Sequence, residues 1–236
     1  MTSLASESTS YAVVEQEPPE ILARNLRTGA HLWASANAFF FIGFLFAYFY
    51  LRSLNNGGMW QPKGVNAPLG FGTAILACVL ASVALTWLGL RERRAAGTGD
   101  VKTLDARRLD AWRLRGAAAL VLGLAAVGLQ CAEYATLGFG PTDGGFASVF
   151  VGWTGLYAIF VLGTMFWLET LLATSFRYRG RVGVAPGEAS GDPHRTRHDV
   201  DEPLRLVLPG LEAFTFVWGF LALIGVVAYL LLYAVS

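Results

Sequence analysis

The chain has 236 residues, 54% of them hydrophobic and 15% charged, with a formal net charge of +1. Together with a mean hydropathy of +0.47, this composition excludes an ordinary soluble domain and indicates a polytopic membrane protein. Glu92, Asp100, Asp105 and Asp110 interrupt the basic segments, so nucleic-acid binding is disfavoured too.

Met1–Glu20 is polar, acidic and Ser-rich. It lacks the basic start and apolar middle of a secretory signal, and residues 1–30 are expected to form a polar cytoplasmic tail. Five apolar stretches follow, about Leu32–Leu51, Leu69–Leu90, Gly116–Leu137, Ala147–Thr174 and Leu208–Val235. Each is near or above the ~20 residues that cross a ~30 Å hydrocarbon core. Residues 31–236 are therefore expected to form an all-α bundle of five transmembrane helices, with polar loops at about 91–115 and 175–207.

Sixteen of the eighteen Lys and Arg residues fall in the N-terminal tail and those two loops. Arg52 and Lys63 alone fall on the other side. The positive-inside rule then places the N-terminus in the cytoplasm and the C-terminus outside. A bacterial cytoplasmic membrane is the expected location. Arg91, Arg93, Arg94, Arg177, Arg179 and Arg181 lie just beyond span ends and are candidates for contact with anionic headgroups. Topology alone also accounts for their placement.

Few residues could hold a cofactor. Haem and copper in membrane oxidoreductases are generally held by His, Met or Cys, and no span offers two of these at helical spacing. His31 opens the first span, and His194 and His198 sit in a polar loop whose Gly, Pro and Arg residues argue against a metal site. Neither a phosphate-binding P-loop nor a nucleophile elbow is present. No catalytic, cofactor-binding or metal residues are expected in the chain. Cys78 and Cys131 fall within spans, where they are expected to be free, buried thiols.

In lipid, helices associate by close packing, so small residues mark contact faces. Ala77/Ala81, Ala119/Gly123 and Ser148/Gly152/Gly155 are expected to be such faces. Aromatic residues crowd the first span from Phe39 to Tyr50. They form either a lipid-facing surface and interfacial belt or a wedge facing an acyl-chain cleft. Intramembrane polar groups need partners. Asn37 is expected near the cytoplasmic end of the first span and Gln130 and Glu133 near the outer end of the third. Glu169 and Glu212 stand close enough to helix ends to reach headgroups or arginines.

The order of motifs resembles subunit III of haem–copper terminal oxidases. The aromatic first span, Trp60-x-Pro62-x-Gly64, Leu85-Thr86-Trp87, Gly128-Leu129-Gln130-Cys131-Ala132-Glu133-Tyr134, Thr142-Asp143-Gly144-Gly145-Phe146-Ala147-Ser148-Val149-Phe150, Thr154-Gly155 and Phe216-Val217-Trp218 carry the likeness. The chain departs from the family's pattern at Asn37, where the family has a membrane carboxylate. It departs again at Leu156–Val161, where two histidines are absent, and at Leu211–Thr215. The resemblance implies a five-helix subunit without cofactors of its own. It further implies oxidase subunits I and II as partners that carry haem and copper, and phospholipid as ligand. The role it implies is to stabilise a complex for O2 reduction and proton pumping, and supercomplex membership stays open. Asn37, Trp60, Trp87, Gln130, Glu133, Tyr134, Asp143, Ser148, Thr154 and Trp218 are the expected structural, lipid or subunit contacts. A quinol oxidase or nitric-oxide reductase partner is the alternative, and a small membrane transporter or lipid-acting enzyme is a second.

Overall fold

The structure, a computed structural model, describes residues 18–55, 57–95, 106–177 and 198–235. Five helices dominate them: α1 Pro19–Ser53, α2 Leu69–Ala95, α3 Ala106–Thr136, α4 Gly145–Arg177 and α5 His198–Tyr229. A π-helical turn, Leu230–Ala234, ends the last. All five are long and apolar enough to cross a bilayer. At 1.5 Å per residue, the 27 residues of α2 span about 40 Å and the 35 of α1 about 50 Å, so every helix exceeds the hydrocarbon core.

The helices therefore outrun the apolar stretches. α1 begins at Pro19, where proline's fixed φ suits a first turn, rather than near Leu32. α3 and α5 likewise begin about ten residues before their apolar segments. Hydropathy marks where lipid surrounds a helix; hydrogen bonding and packing decide where the helix ends. One consequence corrects an expectation: Asn37 lies in the middle of α1, not near an end. It is buried, and its amide donates to the Trp33 carbonyl at 2.7 Å.

α2 and α3 form a close hairpin, α3 packs on α4, and α5 touches α1, α2 and α4. The packed face of α2 is Gly72, Ile75, Val79, Ser82, Thr86 and Gly89. Ala77 and Ala81, expected at a contact, instead point outward. Ala119 and Gly123 do pack, with Met165 filling the space beside Gly123. Gly152 faces the Phe44 ring and Gly155 the Tyr134 hydroxyl, while Ser148 is exposed. Nearly uniform apolarity leaves these faces to be chosen by shape. Both cysteines are free, but Cys131 is exposed on the bundle surface and Cys78 half-buried.

The aromatic run of α1 divides by helical phase. Phe41 and Tyr48 are buried and Phe44 is half-buried, whereas Phe39, Phe40, Phe46, Phe49 and Tyr50 are exposed. Phe41 meets Phe160 edge-on at 5.8 Å, and Phe44 stacks on Trp153 at 6.1 Å.

Candidate functional site

The polar side chains that the sequence scatters over α2–α5 meet in the bundle. Glu133 is fully buried, and one carboxylate oxygen accepts from both the Gln130 amide of its own helix and the Tyr233 hydroxyl. The Tyr233 bond is 2.9 Å long and ties α3 to the C-terminal π turn. One helical step from Glu133, the Tyr134 hydroxyl bonds Thr154 of α4 at 2.6 Å and donates to the Val151 carbonyl at 3.2 Å. Tyr229 pairs with Thr73 of α2 at 3.0 Å. A turn or more away, the Trp218 indole donates to Ser82 at 3.1 Å, and Ser82 donates to the Ala119 carbonyl at 2.7 Å. That chain joins α5, α2 and α3.

Buried polar atoms in a bilayer are costly unless paired. These pairs therefore select one helix arrangement among many that uniform apolar surfaces would permit. Tyr233 and Ser82 were not singled out from the sequence. Tyr233 lies 100 residues from Glu133 and gives no local signal. Ser82 is a small polar residue within an apolar span, which is the one signal available for it.

The next residues form a clamp between two loops. Trp60 is buried, edge-on to Tyr48 at 5.2 Å and to Phe146 at 5.8 Å. Its carbonyl accepts from the Phe146 amide at 2.8 Å, and the Met59 carbonyl accepts from Gly145 at 3.3 Å. The 54–68 loop thus supplies acceptors for amides that the start of α4 would leave unsatisfied. Asp143 holds the neighbouring turn by accepting from Gly140 at 2.7 Å, and the Ser148 hydroxyl donates to Pro141 and Gly144. Gly144 has φ +128°, and a Cβ there would stand 2.7 Å from the Pro62 ring. Gly144→Ala is expected to cost about 1–3 kcal/mol from backbone strain alone. A lowered thermal midpoint of the chain in detergent, with faster proteolysis in the 54–68 loop, is the measurement; an unchanged midpoint counts against the clamp.

The opposite end is basic. Glu212 is held between Arg27 of α1, at 2.5 Å, and Arg94 of α2, at 3.0 Å, so one carboxylate ties three helices. Arg115 pairs with Glu92 at 2.7 Å. Arg113, missed in the sequence, is buried and donates to the Ser175 hydroxyl at 2.8 Å and the Ser175 carbonyl at 2.6 Å, joining α3 to α4. Arg93 is buried as well. The Arg91 guanidinium lies 4.6 Å over the exposed Trp87 ring, a cation–π contact at the surface. Arg177 and Glu169 are exposed. His31, a third of the way along α1, stacks on Phe216 at 4.3 Å. Arg179, Arg181 and His194 lie outside the described residues, as does the His198 side chain.

Between α1, α4 and α5 runs an apolar cleft of about 880 Å³, lined by Leu22, Leu26, Trp33, Phe160, Trp167 and Val217 among others. It lies toward the basic end of the bundle, away from the aromatic run at Phe39–Tyr50. Its lining is hydrocarbon and indole, with few polar atoms, which suits an apolar chain rather than a polar solute.

Among the described residues, no three of His, Cys, Asp and Glu converge as metal ligands. The family model described as Cytochrome c oxidase subunit III matches residues 9–180. The chain belongs to the cytochrome c oxidase subunit III family. Cytochrome c oxidase subunit 3 of Ornithorhynchus anatinus is 32% identical over 161 residues, covering 65% of this chain and 57% of that protein. The corresponding protein of Oryctolagus cuniculus is 30% identical over 165 residues, covering 67% and 58%. That of Scyliorhinus canicula is 32% identical over 165 residues, covering 66% and 57%. The matches thus span less than three fifths of the length of these relatives.

The family match takes in α1 to α4 and ends before α5. Yet α5 and its π turn supply Tyr233 for Glu133, Trp218 for Ser82 and Glu212 for the two arginines. In this subunit III-family chain, the part that matches the family is completed by a helix outside the match.

Proposed function

We propose that this chain is a cofactor-free accessory subunit of a respiratory haem–copper terminal oxidase. Its partners are the catalytic subunit I, with haem and copper, and subunit II. We place it in a bacterial cytoplasmic membrane with its N-terminus inside, an orientation that the distribution of basic residues supports. Its action is structural: it packs beside the catalytic subunit, keeps phospholipid ordered in the α1/α4/α5 cleft, and stabilises the complex during O2 reduction and proton pumping.

The observation that carries this reading is the ordered run from Gln130 to Thr154. It falls within the family match, and Gln130, Glu133, Tyr134, Asp143 and Thr154 all bond to protein groups. Glu133 with Tyr233 and Tyr134 with Thr154 hold helices together, which supports a scaffold rather than a transport path. Asn37 in place of the family carboxylate, with its amide turned onto its own helix, argues against direct proton delivery through this residue.

The experiment is a mild-detergent pull-down of the tagged full chain from native membranes, with a visible spectrum and mass spectrometry. Haem absorbance with a His-rich multi-span subunit is the expected result. A colourless chain that purifies alone overturns the proposal.

A further inference from the structure

α2, α3, α4 and α5 converge on a small pocket of about 30 Å³. Five polar side chains line it: Gln130, Thr154, Tyr157, Tyr229 and Tyr233, of which Tyr229 is already paired with Thr73. The rest of its wall is apolar and comes from α2 and α5. Tyr157 is 6% exposed, and its hydroxyl is buried without a protein hydrogen-bond partner. It reaches across the bundle toward α5, where a Cβ at Gly225 would stand 2.5 Å from its oxygen. The missing side chain at Gly225 thus makes the room that this hydroxyl occupies.

The geometry points to a binding site for a single structural water in this cavity, held by Tyr157, Gln130 and Tyr233. Size decides first. The space open to the centre of a water-sized sphere is about 30 Å³, above the ~10–15 Å³ that one water needs and far below what a lipid chain would fill. Polarity decides second, because a dry cavity is apolar on all sides, whereas a buried water needs 2–4 polar partners, roughly the number this wall offers.

Bonding decides third. Thr154 is already engaged with Tyr134 and with the Phe150 carbonyl. Tyr233 donates to Glu133 and keeps oxygen lone pairs to accept with. The Gln130 amide nitrogen faces Glu133, which leaves its carbonyl oxygen as an acceptor. The water accepts from Tyr157 and donates to Gln130 and Tyr233. It thereby links α4 to the α3–α5 bond at Glu133 and satisfies a hydroxyl that protein atoms leave alone.

The test uses the full chain purified from its own membrane with whatever subunits accompany it, in lipid nanodiscs. A cryo-EM map that resolves ordered water is expected to contain one peak at about 2.5–3.0 Å from the Tyr157 oxygen. In Tyr157→Phe the peak disappears, while Gln130, Glu133 and Tyr233 keep their positions. Infrared spectra provide a second readout. An O–H band that shifts in heavy-oxygen water is expected in the unchanged chain and is absent from the variant. An empty cavity, a peak that persists in Tyr157→Phe, or a cavity filled by a side chain or lipid overturns the assignment. So does the lack of any isotope-sensitive difference between the two proteins.

Discussion

Replacing Glu133 by leucine is expected to lower the stability of the bundle by about 2–4 kcal/mol, since two donors lose their shared acceptor and each orphaned group costs about 1–3 kcal/mol. The donors are the Gln130 amide and the Tyr233 hydroxyl. Interhelical hydrogen bonds in membranes average only about 0.6 kcal/mol when the unfolded reference finds other partners. That average does not apply directly here, because leucine keeps the volume that packs the site while removing the one carboxylate to which both donors bond. The helices then either close over unsatisfied donors or separate to let water in. Glu133→Gln keeps an acceptor of nearly the same shape and is expected to lose less than half as much. Unfolding in mixed micelles measures both, and retention in repeated detergent washes of the complex gives the functional counterpart. Equal losses for the two variants would show that charge, rather than hydrogen bonding, holds this site.

Gly72→Ala is the second large effect, and its sign is the informative part. In a helix interior, alanine is preferred to glycine by about 1 kcal/mol. At Gly128, where a Cβ would meet nothing within 4 Å, the same substitution is expected to be neutral or stabilising. At Gly72 the Cβ would stand 2.6–2.7 Å from carbons of the Tyr233 ring. Glycine is required there by close approach. The ring is also held by Phe150 at 5.3 Å and Tyr229 at 5.9 Å, so it has little freedom to give way. Overpacking of this kind costs about 1–3 kcal/mol. Displacing Tyr233 also breaks its bond to Glu133, so the total is expected to approach that of Glu133→Leu. A double-mutant cycle with Tyr233→Leu checks the mechanism: coupling of about 0.5–3 kcal/mol is expected for residues in contact. Additive effects would place the damage elsewhere on α2.

Much of the site was readable as composition and order. Gln130, Glu133 and Tyr134 stand out because ionisable and amide groups are rare inside apolar spans, and Trp60 and Asp143-Gly144 because turn chemistry breaks the pattern. Their partners were not readable. Tyr233 is one of many aromatic residues near a span end, and only the π turn beneath it aims its hydroxyl at Glu133. Arg113 and Arg93 read as loop charges, since hydropathy ends the third span at Gly116 and the second at Leu90. In the structure both helices continue, and both arginines are buried, Arg113 against Ser175 of α4. Glu212 read as a group near a helix end, and its two arginine partners come from two other helices, α1 and α2.

The sequence by itself determined that the chain crosses a membrane, how many helices do so, and which residues among them carry unusual polarity. Those properties follow from local transfer energies and the thickness of the hydrocarbon core, which each segment meets independently of the others. Only the tertiary structure decided which faces pack. Ala77 and Ala81 turned outward, while Gly72 and Ser82 turned in. It also decided where each helix ends and which distant side chain answers each buried polar group. Lipid is as apolar as leucine, so no hydrophobic gradient selects a face. Shape at Gly72 and Gly123 and hydrogen bonding at Glu133 and Ser82 make that choice, and both exist only once the helices are side by side.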